Sequence, residues 1–278
     1  MESKKIVLKT VDGFSIAGIH TVAKKNVIVL WLHGITVNKD EYLGFFKKGA
    51  NYLASFGIDS LRIDFRGHGE SSGSSIDLTI SGQMIDVDTA IAYLKKFYKG
   101  RKLHLNIVAC SFGAPPAIFA SIIYPNIIKS IILVSPVISY QKTFLHPKSE
   151  WAKSLFNKST ISKLNRTNRL FFNDNFAISM NLIKEMQIVH PEASIKDVNK
   201  EVAIIHGDED SMIPYQISKE ITTHCPNITL YTFKDMDHGF TDKNDEIGSS
   251  YKSTANRLKI YKLIQKIVLN DDSGFSNC

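Results

Sequence analysis

The run Val27-Ile28-Val29-Leu30-Trp31-Leu32 is apolar at every position. A strand with one wet face alternates apolar and polar residues. A run without alternation must be buried on both faces, and that calls for a sheet covered on each side. Further strand patterns occupy residues 58–65, 105–109, 130–135, 202–206 and 228–233. Helical spacing lies between or after them, at 41–56, 83–97, 114–124, 214–224 and 250–269. Within 83–97 the stripe is Ile85, Ala90, Ile91 and Leu94, and Gly57 stops the helix before it. Such alternation predicts an α/β fold with a mostly parallel central sheet and helices on both faces. Ahead of it, residues 5–10 and 14–21 alternate around Val11-Asp12-Gly13, a hairpin signal. The alternation breaks at 136–199, which is rich in aromatic and polar residues. This segment is expected to be an inserted cap, with 1–135 and 200–270 forming the core and 271–278 a flexible tail.

The 278 residues suffice for a sizeable core, and 44% hydrophobic with 22% charged residues is ordinary globular composition. No apolar run approaches the ~20 residues of a membrane span. The strand pattern starts directly after Met1-Glu2-Ser3-Lys4, with no signal-like region, and the three cysteines are too sparse for a disulfide framework. A cytoplasmic location is expected. The net charge of +7 is concentrated: residues 141–169 hold seven cations and one anion, Glu150. The segment is either a solvated face or a collar for an anionic substrate or an acidic carrier protein. No nucleic-acid recognition motif accompanies it.

Chemistry enters at Ala109-Cys110-Ser111-Phe112-Gly113, a small-x-Ser-x-Gly string between a strand and a helix. It is a variant of the nucleophile elbow, in which a strained strand-to-helix turn exposes a serine hydroxyl. The flanking positions, Ala109 and Gly113, must be small because their backbones nearly touch neighbours. Pro115 and Pro116 suit the first helical turn, whose N–H groups lack helical partners. A serine needs an imidazole to take its proton, and the imidazole needs a carboxylate to orient it. Both belong on loops after later strands, in the order Ser, Asp, His. After 202–206 come Gly207-Asp208-Glu209-Asp210, and after 228–233 come Lys234-Asp235-Met236-Asp237-His238-Gly239-Phe240. His238 is the expected base. Asp210 is favoured over Asp208 as the acid because the chain has turned towards the site by then. The amides of Ile35, after the flexible Gly34, and of Phe112 are the expected oxyanion donors. His33, Asp64 and His68 read as structural, and Cys110 is not at the apex of the turn.

These pieces together resemble the α/β-hydrolases. The matching stretches are His33-Gly34-Ile35-Thr36-Val37-Asn38-Lys39, Asp64-Phe65-Arg66-Gly67-His68-Gly69-Glu70-Ser71, the elbow, His206-Gly207-Asp208-Glu209-Asp210 and Asp237-His238-Gly239-Phe240. The resemblance is greatest to the serine-aminopeptidase-like branch, which includes cinnamoyl (feruloyl) esterases and monoacylglycerol lipases. Ala109-Cys110 stands where relatives usually carry Gly-His. The resemblance implies an α/β-hydrolase fold, and it makes the last acid of the His-Gly-x-x-Asp turn, Asp210, the triad member. The expected activity is hydrolysis of a small-molecule carboxylic ester by Ser111, His238 and Asp210, with no metal or cofactor. An acyl thioesterase or acyltransferase acting on acyl-CoA or an acyl-carrier protein would use the same residues. A non-catalytic binding protein on a hydrolase scaffold is the alternative from another class.

Overall fold

The computed structural model describes residues 2–23, 27–242, 245 and 247–269; the expected tail at 271–278 lies outside them. In chain order the elements are β1 (Glu2–Lys9), β2 (Ser15–Val22), β3 (Val27–Leu32), α1 (Phe45–Ser55), β4 (Asp59–Ile63), α2 (Ile80–Phe97), β5 (His104–Cys110), α3 (Ala114–Ile123) and β6 (Ile128–Val134). They continue with α4 (Glu150–Leu155), α5 (Lys158–Thr167), β7 (Leu170–Asn173), β8 (Phe176–Ile178), α6 (Met180–Ile188), α7 (Pro191–Ser194), β9 (Glu201–Gly207), α8 (Tyr215–Thr222), β10 (Ile228–Phe233) and α9 (Tyr251–Leu269).

The main sheet has the order β1-β2-β4-β3-β5-β6-β9-β10. β2 runs antiparallel to β1 and β4, and all the other neighbours are parallel. From β3 the chain passes to β4 on one side, then crosses back to β5 on the other. That reversal opens a crevice at the carboxyl ends of β3 and β5, where open parallel sheets bind ligands. The register Leu32↔Ala109 brings the loop after β3 beside the elbow after β5.

Both faces of β3 are fully covered. Ile28, Leu30 and Leu32 belong to one buried cluster with Val87 and Ile91 of α2 and Ile118 of α3. Val29 and Trp31 pack on the opposite face with Phe46 and Leu53 of α1 and Ile260 and Ile264 of α9. Each fully buried side chain of this size contributes about 1.5–3 kcal/mol, which is why the unbroken apolar run commits the chain to a two-sided sheet.

Two helix starts differ from the sequence expectation. α2 begins at Ile80 rather than 83, because the Thr79 side chain accepts from the Gly82 N–H at 2.9 Å and the Glu185 carboxylate takes the Ile80 and Ser81 N–H groups. A hydroxyl cap and an anion at the N-terminus outweigh the poor propensity of Gly82. α1 begins at Phe45 rather than 41, since Glu41, Leu43 and Gly44 all have positive φ.

Between β6 and β9 the chain builds α4 to α7 and the antiparallel β7–β8 hairpin, with a third apolar cluster of its own. Phe144, Leu164, Leu170, Ile178 and Met186 are buried there, together with Phe112 from the elbow. The end of this segment returns to the core, where Ile195 and Val198 join the face covered by α2 and α3. Among the described residues, no helix is long and apolar enough to cross a membrane.

Candidate active site

Ser111 lies at the end of β5, 8% exposed, with φ 50°. A left-handed conformation is strained for a residue with a Cβ, and such strain collects at functional turns. The neighbours hold it there. A Cβ added to Gly113 would sit 2.3 Å from the Leu32 carbonyl oxygen, so only glycine lets α3 start this close to β3. The Val137 N–H donates to the Ser111 carbonyl at 3.0 Å and ties the segment after β6 to the turn. Gly113→Ala is accordingly expected to destabilise the protein by at least about 3 kcal/mol, because backbone and not a side chain must yield. A thermal melt should show a fall of roughly 6–12 °C.

The loop after β3 is clamped from two sides. His33 Nδ1 lies 2.7 Å from the Gly34 carbonyl oxygen and His33 Nε2 accepts the Phe65 N–H at 2.9 Å. Nε2 as acceptor makes Nδ1 the protonated nitrogen of a neutral ring. Burial and the charges of His68 and Lys39 hold its pKa well below the ordinary histidine value. A fixed Gly34 carbonyl fixes the same peptide's N–H, that of Ile35, on the opposite side. Ile35 lines a cavity of about 380 Å³ together with Ser111 and His238.

His238 Nδ1 is 2.7 Å from Asp210 Oδ2. The Asp210 side chain is fully buried and that of His238 is 20% exposed. Asp210 also meets His206 Nε2 at 3.0 Å, and its other oxygen accepts the Met212 and Ile213 N–H groups at 2.9 and 2.8 Å. His206 is held in turn by Ser218 Oγ at 2.8 Å. Burial alone would raise the Asp210 pKa, but the charges and hydrogen bonds of His238 and His206 outweigh it and keep the carboxyl far below its usual range. The reverse balance acts on His238. Burial pulls its pKa down, while Asp210, with help from Glu41 and Asp237, leaves it raised. Asp237 shapes the turn itself by accepting the Gly239 and Thr241 N–H groups at 3.0 and 2.9 Å.

Other sequence candidates lie elsewhere. Asp208 accepts the Asp235 N–H at 2.7 Å and joins the turns after β9 and β10, while Glu209 is exposed. His68 is buried beside His33 and Phe176, 3.0 Å from the Arg66 carbonyl, and burial pushes its pKa down to about 4. Asp64 receives the Lys39 ammonium at 2.8 Å. Cys110 forms part of the cavity wall beside Ser111, its thiol pKa raised by burial and by the nearby Glu41 and Asp210. Ala109 is fully buried in the core, and the Phe112 side chain is fully buried against Tyr140 and Phe144.

Sequence reasoning missed five contributors to this region. Glu41, within a stretch with helical spacing, faces the cavity with Oε2 accepting the Gly34 N–H at 2.8 Å. His206 looked like a strand residue. Trp151, Phe172 and Asn173 bring the 136–199 segment to the cavity mouth. Asn173-Asp174-Asn175 between two apolar triplets was the available signal for the hairpin that carries Phe172.

A family model described as "Serine aminopeptidase, S33" matches residues 23–181. No curated protein matches the chain. Among solved structures, Est1E from Butyrivibrio proteoclasticus with bound ferulic acid superposes with a TM-score of 0.76 at 20% identity, covering 97% of this chain and 100% of that one. The Pyrococcus furiosus esterase Pf2001 gives 0.68 at 17% identity, covering 97% and 92%. The esterase EaEST from Exiguobacterium antarcticum gives 0.70 at 15% identity, covering 96% and 100%. At these identities the likeness is one of fold.

Proposed function

The chain belongs to the serine aminopeptidase S33 family of α/β-hydrolases, and on that footing we propose that it hydrolyses carboxylic esters through an acyl-enzyme on Ser111. The observation that carries the reading is the 2.7 Å His238–Asp210 hydrogen bond on a cavity whose wall also holds a serine at φ 50°.

His238 Nε2 takes the Ser111 proton as Oγ attacks the acyl carbonyl carbon. The Ile35 and Phe112 amides stabilise the oxyanion of the tetrahedral intermediate. Its collapse breaks the ester C–O bond, and His238 gives the proton to the departing alcohol. A water molecule, deprotonated by His238, then attacks the acyl-enzyme and releases the acid. Asp210 keeps its negative charge throughout and holds the imidazole in the working tautomer. The 136–199 segment acts as a cap that shapes the pocket. Trp151 and Phe172 suit flat or apolar acyl groups there, consistent with the ferulic acid bound by Est1E.

The same residues would cleave an acyl thioester. The basic segment supports that second reading, although Lys142 is paired with Glu220 and Lys153 with Glu150. One experiment separates the readings. The purified protein should react with a fluorophosphonate probe and turn over p-nitrophenyl esters of graded chain length and aromatic acyl esters. Turnover of acyl-CoA that exceeds ester turnover and collapses at high salt would instead favour the thioester substrate. A protein that neither labels nor turns over either class is a binding protein on this scaffold.

A further inference from the structure

Glu41 does more than line the cavity. Its carboxylate holds the loop after β3 where that loop meets the elbow. Oε2 accepts the Gly34 N–H at 2.8 Å from the loop after β3. Cys110, the residue before Ser111, lines the same cavity wall as Glu41. Oε1 accepts the Tyr42 N–H at 3.0 Å, which fixes the side chain from its own loop. The two segments nearly touch here, since a Cβ added to Gly34 would lie 3.1 Å from the Ser111 Cβ.

The backbone at Glu41 reinforces the point. Its φ is 60° and ψ 170°, a conformation that is strained for a residue other than glycine. This backbone carries the side chain back towards Gly34, and α1 starts only at Phe45. The carboxylate also shares the cavity with His238.

We propose that Glu41 is a positioning residue. Its carboxylate anchors the oxyanion loop at Gly34 beside the elbow and so sets the separation of the Ile35 and Phe112 amides, while its charge stabilises the His238 imidazolium. This rests on the esterase reading of Ser111. Burial raises the Glu41 pKa, while the Tyr42 and Gly34 N–H groups and the nearby His238 oppose that rise and favour the carboxylate. The charged groups around His238 are Asp210 from the turn after β9, Asp237 from its own turn and Glu41 from the loop after β3; the charged group facing Glu41 is His238, and the Cys110 thiol near it is neutral.

The test compares Glu41→Gln and Glu41→Asp with wild type. Glu41→Gln removes the charge and keeps the length. Its kcat on p-nitrophenyl acetate should fall about 10–100-fold with KM little changed, as misplaced oxyanion donors predict. The acid limb of kcat/KM should move to lower pH by at least about 0.5 unit, because losing a nearby anion lowers the imidazole pKa. Glu41→Asp keeps the charge and loses the reach, so kcat should fall while the limb stays in place. A thermal melt checks folding; if Glu41→Gln does not fold, a wild-type kcat in Glu41→Asp overturns the proposal. For folded Glu41→Gln, wild-type kcat or an unmoved limb overturns it. The His238 ring titration, followed by NMR and assigned with His238→Asn, needs no turnover. If wild type hydrolyses no ester yet that titration shifts in Glu41→Gln, the esterase reading has failed and the electrostatic role of Glu41 stands. An unmoved titration sinks that role.

Discussion

Ser111→Ala is expected to lower kcat for p-nitrophenyl acetate by about 10⁶-fold and to abolish fluorophosphonate labelling. Removing the proposed nucleophile removes the proposed acyl-enzyme route altogether, and what would remain is catalysis by the proposed oxyanion donors and by binding alone. The fold should not notice. Ser111 is 8% exposed, loses one hydroxyl, and keeps a turn imposed by Gly113 against Leu32 and by the Val137 hydrogen bond. Stability should stay within about 0.5 kcal/mol of wild type, as for substitutions that make neither a cavity nor an orphaned partner. Active-site titration, kcat and a thermal melt measure all three quantities. Residual activity above a hundredth of wild type would move the nucleophile elsewhere. The adjacent Cys110 is a poor heir, since burial and neighbouring carboxylates hold its thiol protonated.

Asp210→Asn should cost about 10⁴-fold in kcat, because an amide no longer selects the imidazole tautomer that presents a free Nε2 to Ser111. It should also cost stability. The carboxylate gathers His238, His206 and the Met212 and Ile213 amides, and an asparagine offers one acceptor oxygen to them. Each donor left buried and unmet costs about 1–3 kcal/mol. The pH dependence has a definite sign. The Asp210 pKa is depressed on folding, so its stabilisation is present above the unfolded carboxyl value of about 3.9 and is lost as pH falls below it. His238 runs the other way: its pKa is raised, so its share is complete below about 6.5 and is lost as pH rises through the folded value. Melting curves should show wild type losing stability faster than Asp210→Asn below about pH 4. If Asp208→Asn abolished activity and Asp210→Asn spared it, the assignment of the acid would be wrong.

Much of this arrangement could be read from local signals. The apolar run at 27–32 announced a doubly covered strand, and small residues around Ser111 announced the turn. The positions of Asp210 and His238 after late strands follow from chain order alone. What escaped was whatever depended on a contact between segments distant in sequence. Glu41 has helical neighbours, and only the positive φ values at Glu41, Leu43 and Gly44 reveal that the helix waits until Phe45. His206 sits one residue from the end of an apolar strand, where no spacing rule separates a core histidine from one that steadies a carboxylate. α2 takes its first turn from Glu185, over a hundred residues away, and no local pattern at Thr79 to Gly82 could announce that partner.

Phe112 has two ends with different loyalties. Its amide belongs to the elbow, while its ring is buried beneath Tyr140 and Phe144, both in the segment between β6 and β9. Modularity therefore stops short at this position. Grafting that segment from another hydrolase would replace the floor on which the proposed oxyanion donor rests along with the residues it brings to the cavity. Repacking a buried Phe with a poorly matched neighbour costs about 1–3 kcal/mol, enough to displace a backbone amide that works only at hydrogen-bonding distance. Transplants that carry the contacts of Tyr140 and Phe144 with them should change substrate preference alone, and transplants that omit them should lose turnover on every substrate equally.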